Sequence, residues 1–314
     1  MDNTRTEKKR IQLSCDKQVS CDKQVSCDKQ VSCDKHVSCD DILHDVFKLP
    51  DFRPKQRKII ENILLGKDVI ALLPTGSGKS LCYQLTSLMS NGITVVISPL
   101  LALINDQLSY LSKIGVCAYA FNSQINSGDK GRIISDITSP RPKCKLLYTT
   151  PESVTKCGEL NKALIQANRT HLLVRFIIDE AHCVSNWGHE FRESYLELKQ
   201  IKRMFNGIQI VLFTATATPK VLMDMIIQLG LKKVHVHRQS FIRDNLSYSV
   251  IPKTGQVIYD MVATINHNYK GQSGIIYCLS RKNCETLAMR MTSLGISAEY
   301  FHAEIGRASC RERV

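Results

Sequence analysis

The chain has 314 residues, 43% of them hydrophobic, a formal net charge of +13 and 13 cysteines. That length and apolar content suffice for two domains with buried cores, whereas the longest apolar runs, such as residues 69–73, are too short to span a bilayer and the start has no apolar signal-peptide core. Without C-x-x-C pairs the thiols read as reduced cysteines of cytosol or nucleus, and the basic excess, nearly all of it between residues 42 and 303, suits a polyanionic partner or plain solubility.

Near the amino terminus SCDKQV recurs at residues 14, 20 and 26, then SCDKHV at 32 and SCD at 38, a strict period of six. Six residues advance a helix by about 600°, so Cys15, Cys21, Cys27, Cys33 and Cys39 share no helical face, although an extended chain would align them. The unit is too polar to offset chain entropy, and its gaps fit no common zinc framework, so residues 1–41 are expected to be a disordered tail. Residues 41–47 then predict a short helix capped by Asp41, and residues 54–66 a second with Pro54 in its first turn and Gly66 just past its end. Apolar β-branched runs at 68–73, 93–98, 144–149, 172–179 and 208–214 alternate with amphipathic segments. That order predicts an α/β fold, a parallel sheet covered by helices on both faces and complete by about residue 238. A second such series is expected to open with residues 245–251, 273–278 and 296–301.

Between the first strand and the next helix lies LLPTGSGKS, residues 72–80. Consecutive amides of a Gly-rich turn at a helix start converge on one point and carry the positive end of the dipole, which suits a triphosphate. Thr75, Gly76, Ser77 and Gly78 would form this cradle. Lys79 would neutralise the β and γ phosphates, and Ser80 would offer its hydroxyl to magnesium. Leu73 stands where the strict pattern has glycine. Asp179 and Glu180 end another apolar run, at the carboxyl edge where open α/β sheets bind ligands. One acid can hold magnesium and the other orient or deprotonate an attacking water. The only tryptophan, Trp187, follows with Phe191 and Arg192 close by. Stacking on such a ring holds single strands at about 1–3 kcal/mol per base, while an indole packed as core is the competing reading.

GSGKS together with DEAH at 179–182 resembles the superfamily 2 helicases. FRPKQ at 52–56, SPLLALINDQ at 98–107, YTTPE at 148–152, DEAHCVSNWGHEFR at 179–192, TATAT at 214–218 and GIIYCLSR at 274–281 narrow the resemblance to the RecQ family of ATP-dependent DNA helicases. VFKLPDFRP and YKGQSGIIYC look most like the RecQ-like type one helicases of animals. The resemblance implies a RecA-like, ATP-binding first lobe over residues 42–238 and the start of a second over 239–303. It places Gln56 on the adenine edge with Arg53 in support and His182 beside the nucleotide; Leu49 stands where some relatives stack an aromatic on adenine. Thr214 and Thr216 would link the ATP site to the nucleic-acid path. Ser98, Pro99 and Leu100, with Ser280 and Arg281 of the second lobe, would grip phosphates, and Trp187, Phe191 and Arg192 would report DNA to the acids. ATP and magnesium are the implied cofactors, single-stranded and forked DNA the substrate, 3′ to 5′ the direction and the nucleus the location; no membrane partner is expected. Residues 304–314, EIGRASCRERV, resemble a translated sequencing adapter and are expected to be an artefact. The family's arginine finger, zinc-binding and winged-helix regions would lie further on, so the chain reads as a truncated piece with weak or no hydrolysis. A DEAH-type RNA helicase, or a non-catalytic binder of ATP and single strands, are the alternatives.

Overall fold

The computed structural model describes residues 37–185, 187, 192–242 and 245–302. They form two compact units that divide between residues 243 and 244. The first is built on seven parallel strands: β1 Asp68–Leu72, β2 Ile93–Ile97, β3 Ala118–Phe121, β4 Leu146–Thr149, β5 Leu173–Ile178, β6 Gln209–Thr214 and β7 Val234–Arg238. Their spatial order is β3-β4-β2-β5-β6-β1-β7. Alternate residues of β1 feed two different cores. Ile70 and Leu72 pack beneath the helices Gly158–Arg169 and Pro219–Gln228, and Val69 and Ala71 beneath Gln56–Leu64 and Lys79–Leu88. A sheet buried on both faces needs apolar residues at every position, which is why its inner strands read as continuous runs. The expected α/β architecture, helices on both faces, is present.

Two strands are not buried on both faces. β3 and β7 are the edges, each paired on one side only, and their side chains are mostly half-buried or exposed. At the carboxyl edge the ladders continue past the strands: Leu73 N donates to the Thr214 carbonyl (3.1 Å) and Gln239 N to that of Leu72 (3.0 Å).

Several boundaries differ from expectation. The first helix is Cys39–Asp45 and its cap is Ser38, not Asp41. Asp41 N donates to Ser38 Oγ (3.1 Å) while Ser38 N donates to Asp41 Oδ2 (2.7 Å), a reciprocal capping box. The last partial repeat therefore belongs to the fold, and Cys39 Sγ lies 3.4 Å from Met89 Sδ. Cys15, Cys21, Cys27 and Cys33, and residues 304–314, fall outside the described residues. No disulfide joins any of the described cysteines. Pro54 precedes its helix, Gln56–Leu64, instead of opening it. Gln56 N closes a turn onto the Arg53 carbonyl at 3.1 Å, with Pro54 second and Lys55, at φ 70°, third. That is the type II pattern, in which proline favours the second position and the third takes positive φ.

The second unit has two helices, Val257–Asn268 and Arg281–Ser293. Among its described residues there is no strand, contrary to the expected second series. An apolar run becomes a strand only where a neighbour takes up its N–H and C=O groups, and here Ile275 and Tyr277 stay open, at 81% and 92% exposed. No helix among the described residues is long and apolar enough to cross a membrane.

Candidate nucleotide and nucleic-acid site

The turn between β1 and the helix Lys79–Leu88 holds Gly76 at φ 78° and Gly78 at φ 80°. Positive φ is one reason for glycine at 78. The other is proximity, since a Cβ there would lie 2.5 Å from Gln56 Nε2. Gln56 is buried and its amide is fully committed. Its Oε1 accepts from Arg53 N (2.8 Å), and its Nε2 donates to the Ser77 and Gly78 carbonyls (3.1 and 3.0 Å). The Arg53 guanidinium donates to the Gly76 carbonyl. Three successive loop carbonyls are thus held on one side. Because a trans peptide points its N–H opposite to its C=O, this bracket aims the Gly78 and Lys79 amides the other way, an arrangement that suits an anion. The family resemblance implies an adenine contact for Gln56; the bracket is a role that the sequence reading did not include. Thr75 is exposed on the loop, Ser80 lies in the first helical turn, and Lys79 Nζ donates to the Leu73 carbonyl at 3.4 Å. Ser77 Oγ is buried with no partner.

Asp179 follows β5, two strands from β1, and its amide extends the ladder to the Ile97 carbonyl (2.9 Å). Burial, and then the charge of Glu180, push its carboxyl up to about 6, while the Glu180 amide and Lys79 pull the other way. Lys79 thus lies within electrostatic reach of Asp179. Glu180 adopts φ 48°, a left-handed conformation costly for a residue with a side chain. Its Oε2 lies 3.4 Å from His182 Nδ1, which in turn sits 2.8 Å from Thr214 Oγ1. Thr214 Oγ1 accepts from Thr216 N at 3.1 Å. The buried His182 and Thr214 therefore lead, as a chain of contacts, from Glu180 to the exposed Thr216.

On the far side of that chain the segment after DEAH is tied to the end of β2. Arg192 N donates to the Cys183 carbonyl (3.2 Å), and Arg192 Nη1 donates to that of Pro99 (3.1 Å). Ser98 is buried, and Leu100 is exposed. Trp187 is 62% exposed, so it is not core. Its amide donates to Ser185 Oγ (3.2 Å), whose hydroxyl donates to Asp224 Oδ2 (2.7 Å), and Lys220 Nζ stands 3.0 Å from the ring centroid. Ser185, Asp224 and Lys220 went unnoticed in the sequence because no spacing rule joins them. Phe191 lies outside the described residues. In the second unit Ser280 caps the helix opened by Arg281, accepting from Asn283 N at 3.2 Å.

A parallel sheet with a lysine-bearing phosphate turn after one strand, and an acid pair after another two places away, defines a RecA-like nucleoside-triphosphate-binding protein. The family model for DEAD/DEAH box helicases matches residues 53–225, and the chain belongs to that family. It is 42% identical over 265 residues to the RecQ-like DNA helicase blm-1 of Caenorhabditis elegans, covering 84% of this chain and 27% of the relative. It is 44% identical over 260 residues to the ATP-dependent DNA helicase Q-like 4B of Arabidopsis thaliana, with 83% and 23% covered. To the ATP-dependent DNA helicase Q1 of Pongo abelii it is 40% identical over 268 residues, with 84% and 41% covered. The RecQ resemblance read from the motifs therefore holds, and these values do not separate type one helicases from other RecQ proteins. The chain spans from under a quarter to about two fifths of the length of these relatives. A crystal structure of the DUF1998 helicase MrfA shares the fold, with a TM-score of 0.62 at 18% identity over 81% of this chain and 40% of that one.

Proposed function

We propose that the chain carries the ATP-binding lobe, residues 42–238, and the start of the second lobe of an ATP-dependent 3′ to 5′ DNA helicase that acts on single-stranded and forked DNA in the nucleus. The observation behind this reading is that two sets of contacts start from the short segment after Asp179, one from Glu180 through His182 to Thr214 and one from Cys183 through Arg192 to Pro99. The same segment continues to Ser185, whose hydroxyl accepts from the amide of the exposed Trp187.

ATP and magnesium fit the residues present: aimed backbone amides, a lysine, the Ser80 hydroxyl and a buried carboxyl at Asp179. Magnesium, held by Ser80 and Asp179, would supply positive charge for phosphoryl transfer. Lys79 binds the phosphates, Glu180 orients the attacking water, and Arg53 with Gln56 keeps the loop amides aimed. Trp187 stacks on an unpaired base, and Ser98 to Leu100, Ser280 and Arg281 take phosphates. An arginine finger from the rest of a second lobe, worth about 10³–10⁵ in rate, completes the reaction.

The test is ATP hydrolysis by this chain and by one extended through the second lobe, each with and without single-stranded oligonucleotide. The expected result is DNA-stimulated turnover by the extended chain, lost in Lys79→Ala, and little by the shorter one. Trp187→Ala should abolish stimulation without changing the melting temperature. Stimulation by RNA equal to that by DNA would favour the RNA helicase reading, and no stimulation by either would sink the proposal.

A further inference from the structure

The outer edge of the sheet carries a second concentration of positive charge. The helix Gln56–Leu64 lies beside β7, and between them is a hollow of about 450 Å³ lined by Lys55, Lys58, Asn62, Lys67 and residues 235–238. Lys58 and Asn62 are spaced i and i+4, one helical face, and Lys55 immediately precedes that helix. His235 and His237 alternate on β7, so they share the side towards that helix, whereas Val234 packs on the opposite core. An edge strand against a helix would ordinarily put apolar residues at 235 and 237.

The floor is built: Lys67 Nζ donates to Asn62 Oδ1 (2.9 Å), and Asn62 Nδ2 lies 3.2 Å from His237 Nε2. No carboxylate lines the hollow. Asp68, next in sequence to Lys67, is turned to Lys202 (2.9 Å) and to the Ile210 amide (2.8 Å). Glu61 acts on Cys39 and Arg57, away from the hollow. His237 is held below its usual range first by burial and then by Lys58, His235, Lys55 and Lys67, which reports a positive field with no counter-charge.

We propose that this groove binds the phosphodiester backbone of nucleic acid, at a place separate from the strand path past Trp187. The two lie on opposite faces of the sheet. Trp187 is tied to the helix Pro219–Gln228 over one core, and the groove abuts Gln56–Leu64 over the other. A five-residue strand at about 3.3 Å per residue gives a run of roughly 16 Å, room for several successive phosphates. No Phe, Tyr or Trp lines the groove, which fits contact with the charged backbone rather than readout of bases. Val236 is its one apolar residue, too little to anchor an acidic peptide. The choice of nucleic acid over other polyanions rests on the DNA-handling function proposed above.

The test is fluorescence anisotropy of the full chain with labelled single-stranded and duplex oligonucleotides across a salt series. The double variant Lys58→Ala/Arg238→Ala should weaken both on the order of tenfold at low salt and reduce the salt slope by about one per lost phosphate contact, with melting unchanged. Lys58→Arg/Arg238→Lys should restore binding, and Trp187→Ala should weaken the single strand additively. An unchanged salt slope in the double variant overturns the groove, while a loss confined to Trp187→Ala leaves the strand path standing. Displacement of DNA by tripolyphosphate or polyglutamate at equal charge concentration also overturns it, making the hollow a general anion site.

Discussion

At residue scale the phosphate turn depends on a side chain outside it. Gly78 has both positive φ and the Gln56 amide against it. Gly78→Ala should therefore cost about 1–2 kcal/mol in backbone strain and dislodge Gln56 as well. A lowered melting temperature with lost nucleotide binding, by thermal melting and titration with an ATP analogue, is the expected result. His237 makes a pH prediction. Its folded pKa is depressed, so below the ordinary value of about 6.5 the unfolded chain takes a proton that the folded one refuses. Its stabilising share is complete above that value and lost as pH falls through it. Wild type should lose more melting temperature than His237→Gln between about pH 8 and pH 5.5. The turn, the acids and the threonines were legible because their spacing is local. The bracket was not, since Gln56 meets Ser77 across 21 positions, and Arg192 meets Pro99 across 93.

At the scale of elements, inner strands announced themselves and edges did not. An inner strand is apolar on both faces, whereas β3 and β7 need little burial, and on β7 histidines replace the expected apolar residues. The same physics moved the first helix boundary. Asp41 looked like a cap because aspartate favours that position, but Ser38 three residues earlier completes a reciprocal pair with it. The upstream copies of the repeat have lysine where the last has Asp41. Asp41→Lys should thus break the box and set a cation against the helix start, costing about 1 kcal/mol. Thermal melting of this variant beside Ser38→Ala, which should move the same way, checks the assignment.

At the scale of the molecule the two units differ in how far they bury their apolar residues. The first hides two cores, while the second leaves Val250, Ile275, Tyr277 and Leu279 open. The chain should accordingly bind a hydrophobic dye and self-associate with concentration, and Tyr277→Lys/Leu279→Lys should reduce both, by dye fluorescence and sedimentation. The alternating pattern of the second series was visible in the sequence, but a pattern names a strand only if a neighbour exists to pair with it. The polypeptide leaves the first unit from β7, and its final stitch is Gln239 onto Leu72. Leu73, the next residue, receives the ammonium of Lys79 and is itself pinned to Thr214. Any tug on residues 239–242 is consequently felt first at the peptide that accepts from Lys79, so strain applied where β7 ends reaches the glycine-rich turn within a single covalent step.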